Sequence, residues 1–325
     1  MARALTLLLL SAGRRVALLE CFRRAAGELG IGLRVLACDV EPELSAACHA
    51  ADASFRVPRC DGPGYVEAVI EAVRREGVGL VVPTIDTELA PLAACAGCFA
   101  ELGVRLHVSD AAVIEKVRNK ARTMSCLAEA GVPTPWTAPF DAVLARPADT
   151  PWPLFLKPSG GSAGRGAIPL RRLEDAPARF DERMIAQELL EGPEYTVNLF
   201  VDLAGTLRAA IPHRRIRVRA GEVEKGRTER REDLAEIACG VVRALPGLRG
   251  AACFQVIDDR RKGPCVFEVN ARFGGGYPLA ERAGGTFARW LLEETAGLPC
   301  SARDAWRSGV TMLRYDAAVF VDGAP

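Results

Sequence analysis

The chain opens on apolar runs broken by small and polar residues. Residues 4–10 form a near-continuous apolar run closed by Ser11-Ala12-Gly13, residues 16–27 carry helical spacing, and residues 33–38 form a second apolar run ending at Asp39. That succession predicts a β-α-β unit of a parallel sheet. Residues 65–75 then predict a helix, 80–82 a strand stopped by Pro83, and 104–108 a further strand. Strands alternating with helices imply a doubly wound, Rossmann-like first domain over residues 1–110.

Beyond that point the pattern changes. Ser109-Asp110 suits a helix cap, and the helix it opens runs through Lys116 and on to Ala130, where Gly131 and Pro133 stop it. After a proline-rich stretch, 133–153, apolar strands are expected at 154–157, 184–190 and 195–203, with Gly192-Pro193 turning between the last two. Residues 253–258 and 265–270 pair as a hairpin around the charged turn Asp259-Arg260-Arg261-Lys262. The second half therefore reads as α+β.

Composition narrows the function. The chain has 325 residues, 49% of them hydrophobic, enough for a sizeable core split over two or three lobes. Its 42 basic and 41 acidic residues give a net charge of +1, which makes no electrostatic case for a nucleic acid or an anionic membrane as partner. Eleven scattered cysteines do not form a disulfide framework and suit a reducing cytoplasm. Cys95 and Cys98 form a lone CxxC in an Ala-rich stretch, read here as buried packing. The opening run meets Arg14 and Arg15 rather than a cleavage site, so it is taken as a buried strand of a soluble protein, and no apolar stretch is long enough to span a membrane.

Three elements carry candidate chemistry. Glu268-Val269-Asn270 lies on a predicted strand, where alternation puts the carboxylate and the amide oxygen on one face. Both are hard oxygen donors of the kind Mg²⁺ takes when it is shared with phosphates, and Gln255 on the neighbouring strand could add a third. Arg272 follows where it could hold a terminal phosphate, and Gly274-Gly275-Gly276 permits close backbone approach to a ligand. Lys157 closes a strand ahead of the Gly-rich loop 159–166, which contains Ser159, Gly160, Gly161 and Ser162 and could cover phosphates with its N–H groups. Gln187-Glu188-Leu189-Leu190 is a strand edge before a tight turn ending in Glu194, suited to an adenine and its ribose. Taken singly, these also fit a surface hairpin, a flexible loop and a polar turn.

Their order, with Lys120 upstream, resembles the ATP-grasp superfamily, and within it the carboxylate-amine ligases and carbamoyl-phosphate-synthase-like proteins. The resemblance covers nearly the whole chain and implies a Rossmann-like lobe followed by a two-lobed ATP-grasp domain, residues 111–325, with a small lid at about 122–190. It also implies ATP on Lys120, Lys157, the Gly-rich loop, Gln187, Glu188, Leu190 and Glu194. Gln255, Glu268 and Asn270 would be ligands to one or two Mg²⁺ ions, or Mn²⁺ in their place, with Gln255 standing where an acid is more common. Arg272 falls where the family holds γ-phosphate or acyl phosphate.

The basic segment 211–219 lacks the aromatic residues of a nucleic-acid surface, so Arg215, and after it Arg219 and Lys225, are read as facing an anion. His213 is read as a turn or substrate-lining residue. Arg14, Asp86 and Glu88 follow strands of the first domain at the ends where such sheets hold ligands, and with Gly275 they are the candidate substrate residues. The expected reaction joins a small carboxylate to an amine or thiol through an acyl phosphate, releasing ADP. Phosphorylation of a small acid such as carbamate and a non-catalytic ATP-binding subunit are the alternatives. A homodimer is the default assembly.

Overall fold

The computed structural model describes residues 3–160, 166–177 and 179–322. Five strands, β1 (Arg3–Leu10), β2 (Ile31–Asp39), β3 (Ala53–Arg56), β4 (Leu80–Pro83) and β5 (Arg105–Leu106), form a parallel sheet in the order β3-β2-β1-β4-β5. The last four residues of β1 are fully buried. Alternation sends Leu7 and Leu9 to the face covered by the helix Val16–Leu29, and Leu8 and Leu10 to the face covered by the helix Tyr65–Glu76. The sheet is thus wound on both sides, as its apolar runs require. The strand expected over 104–108 contracts to β5, and β3, whose burial alternates over only four residues, had too little apolar signal to be predicted.

The long helix expected after Asp110 is two helices, Ala111–Val117 and Lys120–Glu129. Asn119 is extended between them, at φ −114° and ψ 104°, and its side chain accepts a hydrogen bond from the Arg122 amide. An Asx cap inside an apolar periodicity stops one helix and starts another. Lys120 consequently sits in a first turn rather than mid-helix. Asp110 occupies the cap position of the first helix without a side-chain cap bond.

A four-stranded antiparallel sheet follows, ordered β6-β9-β7-β8, from β6 (Thr137–Pro139), β7 (Leu154–Pro158), β8 (Ile168–Leu170) and β9 (Met184–Glu188), over its own small core around Phe140, Leu154 and Leu156. The largest sheet is antiparallel and six-stranded, ordered β14-β13-β10-β11-β12-β15: β10 (Glu194–Val201), β11 (Leu207–Arg219), β12 (Glu222–Thr228), β13 (Gly250–Asp259), β14 (Gly263–Asn270) and β15 (Thr311–Leu313). One face packs on the helices Lys120–Glu129 and Glu232–Ala244. The other contributes Phe200 and Ile211 to a core shared with β1, the helix Val16–Leu29 and the helix Phe287–Thr295.

Cys95 is half-buried and Cys98 exposed, so the CxxC is not buried packing; among the described residues all eleven thiols are free. No helix among the described residues is long and apolar enough to cross a membrane.

Candidate active site

The three sheets converge on one cleft of about 500 Å³. Glu268 and Asn270 enter it from β14, with Val269 turned into the core between them. Gln255 is the register partner of Glu268 on β13, and Cys253 that of Asn270. Gln255 satisfies both its neighbours when its amide nitrogen donates to Glu268 Oε2 over 3.1 Å and its oxygen accepts from Arg215 over 3.0 Å. In that orientation it presents N–H groups, not oxygen, to Glu268. The expected three-oxygen set is therefore two oxygens, Glu268 and Asn270, backed by an Arg215–Gln255–Glu268 hydrogen-bond chain.

Lys157 reaches the same place from β7. Its side chain is buried, its ammonium donates to the Phe267 carbonyl over 3.1 Å, and it lies 5.3 Å from the centre of the Phe267 ring. Burial brings its pKa down to about 8; Glu268 opposes that shift and Lys120 adds to it. Lys120 donates through Nζ to Gly160 O over 2.8 Å and through its amide to Ser159 O over 3.2 Å, which pins the entry of the Gly-rich loop to the helix start. Burial lowers its pKa too, against the pull of Glu268. Gly160 lines the cleft, whereas Gly161 and Ser162 lie outside the described residues.

At the far end Gln187, Glu188, Leu190 and Glu194 form one wall. The Glu188 carboxylate accepts from the Trp136 amide and from Lys262 on the β13–β14 turn, while Gln187 donates to Thr137 Oγ1. The strand edge expected here is not one: β9 lies between β6 and β7, and the Glu188 and Leu189 amides donate to the Trp136 and Pro153 carbonyls, so the backbone is committed to the sheet through Leu189. The turn that follows requires glycine, since a Cβ on Gly192 would lie 1.8 Å from the Asp258 carbonyl oxygen. Glu194 is paired by charge with Arg215 Nε at 3.2 Å, although that N–H makes no hydrogen bond among the described residues. Burial raises the pKa of Glu194, with Arg215 opposing.

Arg272, expected at a phosphate, and Asp86, expected at the substrate, face each other across the lobes. The Asp86 carboxylate accepts from Arg272 Nε and Nη2, and Arg272 also donates to Asn270 Oδ1 over 3.3 Å. Burial disfavours the Arg272 charge, but Asp86, with Cys253 and Glu268, more than offsets this and raises its pKa. Both remain on the cleft wall.

Glu88 is placed differently from the expectation. It is fully buried outside the cleft lining, and its oxygens accept from Ser11 Oγ, Tyr65 Oη and the amides of Thr84 and Ile85. Four donors leave it no capacity for a substrate, so its work is to fix the loops after β1 and β4. Arg219 is exposed and paired with Asp316, and Lys225 is not among the cleft-lining residues. His213 is fully buried rather than substrate-lining, and burial drops its pKa to about 3.

Gly275 lines the cleft together with Arg14 and Arg15, which both follow the first strand as expected, and beside two residues whose placement the sequence did not disclose, Glu222 and Arg314. The Ala220-Gly221 pair, both with positive φ, is the hairpin turn that brings Glu222 there. A two-residue turn flanked by strands was the available signal. Arg314 offered none.

Residues 117–276 match the ATP-grasp domain family, and residues 7–107 match the N-terminal domain of PylC-like proteins. The chain belongs to the ATP-grasp family. No curated protein matches it in sequence. Among solved structures, this ATP-grasp protein is similar to Rhizobium etli pyruvate carboxylase, at 20% identity and a TM-score of 0.73 over 93% of this chain and 30% of the carboxylase. The chain thus spans under a third of that protein's length. It is also similar to the biotin carboxylase domain of Hydrogenobacter thermophilus 2-oxoglutarate carboxylase, at 20% identity and a TM-score of 0.72 over 92% of this chain and 71% of that one. A third is an L-amino acid ligase from Bacillus licheniformis, at 18% identity and a TM-score of 0.70 over 94% and 78%. At these identities the likeness is one of fold.

Proposed function

We propose that this ATP-grasp protein is an ADP-forming ligase that activates a small, amino-acid-like carboxylate as an acyl phosphate and passes the acyl group to an amine. The observation that carries the reading is the convergence of two lysines, the buried Lys157 and the half-buried Lys120, on the oxygen pair Glu268 and Asn270 in a single cleft. Paired ammonium groups beside hard oxygen donors suit a polyphosphate and its cation. The L-amino acid ligase of like fold is named for that chemistry, and it supports an amino-acid-like substrate.

In this reading residues 1–110 face the substrate and residues 111–325 hold ATP, with the sheet within 122–190 as the lid. The wall from Gln187 to Leu190 takes the adenine and Glu194 the ribose. Lys120, Lys157 and the loop from Ser159 through Ser162 take the phosphates. Glu268 and Asn270 fit a Mg²⁺ or Mn²⁺ ion shared with the phosphates; Gln255 fits as a ligand only with its amide turned away from Arg215. Bound there, the metal would supply neutralisation of phosphate charge.

The substrate carboxylate attacks the γ-phosphorus, the bond to the β-phosphate oxygen breaks, and ADP leaves. Lys157, Arg272 and Arg215 offset charge on the transferring group, so catalysis is positioning and electrostatics. The amine then attacks the acyl carbon, inorganic phosphate departs, and the amine proton passes to phosphate or water. For assembly, the biotin carboxylase domain of like fold is described as a dimer, and a homodimer is our expectation here. The test is ADP release from MgATP against a panel of amino acids and small acids. Acid- and amine-dependent release that falls by at least about a hundredfold in Glu268→Gln is expected; ATP binding without release in any combination would sink the ligase reading.

A further inference from the structure

On the cleft wall one carboxylate, Glu222, faces three guanidinium groups from two parts of the chain. Glu222 Oε1 accepts from Arg15 Nη1 over 2.9 Å and lies 3.5 Å from Arg14 Nη2, while Oε2 accepts from Arg314 Nη1 over 2.8 Å. Arg14 and Arg15 follow β1, where parallel sheets hold ligands, and Arg314 follows β15. Arg314 also donates to the Gly275 carbonyl over 2.7 Å, and a Cβ on Gly275 would lie 2.6 Å from the Glu222 carboxyl carbon.

Three positive charges thus face one negative charge, and Arg272 adds repulsion at Arg15. Burial by itself would raise the Glu222 pKa; Arg15, Arg314 and Arg14 together hold it below the usual carboxylate range. A cluster this cationic is stabilised by one oxyanion and retains capacity for a doubly charged one. The carboxylate now in it comes from a hairpin tip, whose Ala220 has φ 49°, in the left-handed region where a non-glycine residue is strained.

We infer that Arg14, Arg15 and Arg314 form a receptor for an oxyanion on the substrate, a carboxylate or phosphate other than the group being activated, and that Glu222 fills it until substrate displaces it. This rests on the ligase reading and assigns it a substrate class: acids or amines carrying a second anionic group.

The test is anion binding to the full chain, followed by thermal shift, with malonate and with inorganic phosphate as probes and ADP present to fill the nucleotide subsite. Glu222→Gln is expected to bind one of the two about tenfold more tightly than wild type, because the internal competitor has lost its charge. Adding Arg15→Gln should remove the gain. A malonate preference identifies a polycarboxylate and a phosphate preference a phosphorylated substrate; either supports the receptor.

Equal affinity in Glu222→Gln and wild type overturns it, as does a gain that survives Arg15→Gln. Arg314→Gln leaves Glu222 paired with Arg15 and supplies a second reading if Glu222→Gln does not fold: anion affinity must drop severalfold, and an unchanged value overturns the receptor. ADP binding without anion binding refutes this inference alone. Anion binding without acid-dependent ADP release refutes the ligase reading alone.

Discussion

Lys157 shows most directly how a buried charge becomes a binding device. Its pKa of about 8 lies below the ordinary lysine value because burial disfavours the ammonium. In the proposed site, phosphates arriving beside it would restore the charge and raise the pKa again. ATP affinity should therefore be fully present below pH 8 and decline as pH rises through about 8, with a proton taken up on binding near that pH. Calorimetric titration of ADP at pH 8 in HEPES and in Tris should give different heats, and the difference should vanish in Lys157→Met. Equal heats in the wild type would remove the argument. At this scale the sequence was informative wherever strand alternation decides direction, as at Glu268 and Asn270. It was silent on amide orientation at Gln255, which answers to Glu268 and Arg215 on other strands, and on the burial of Glu88, two of whose four donors, Ser11 and Tyr65, stand 77 and 23 residues away.

Among the elements, the break between Ala111–Val117 and Lys120–Glu129 does the positioning. A continuous helix would carry Lys120 past the loop entry it now pins at Ser159 and Gly160. Asn119→Ala should destabilise the protein by about 1 kcal/mol, the usual cost of a lost N-cap. It should also weaken ADP binding, whereas Asn119→Asp, which keeps an acceptor, should stay close to wild type in both. Thermal melts and ADP titrations on the two variants decide this, and equal behaviour of the two would show that the cap is not what matters. The β-α-β opening and the β13–β14 hairpin were legible because polar residues break their apolar runs at only a few positions. Strands β11 and β12 were hidden because their outer positions carry arginines, so a ladder looked like a basic patch.

For the whole molecule, the first lobe and the last helices are welded by one core. Phe22 meets Phe273 edge-on, and Phe273, Tyr277, Phe287 and Trp290 continue as an aromatic chain. Within it Tyr277 donates to Glu281, whose pKa burial raises to about 7, with Tyr277 and Arg24 opposing. A raised carboxyl pKa adds stability that is complete below the unfolded value of about 4.5 and is lost as pH climbs through 7. Glu281→Gln should accordingly raise stability at pH 8, by up to about 3 kcal/mol for a shift of this size, and change little at pH 4. Denaturant melts at the two pH values check this; a gain of equal size at both would exclude protonation as its source.

That shared core also sets an order of events during synthesis. The helix Val16–Leu29 presents Leu18 and Phe22 to partners that include Phe287, Trp290 and Trp306, near the other end of the chain. While the ribosome is still adding residues, the outer apolar side of that helix has nothing to cover it. The nascent first lobe must therefore wait, sticky on one side, until the last helices emerge, and in that interval it is the natural client of a chaperone.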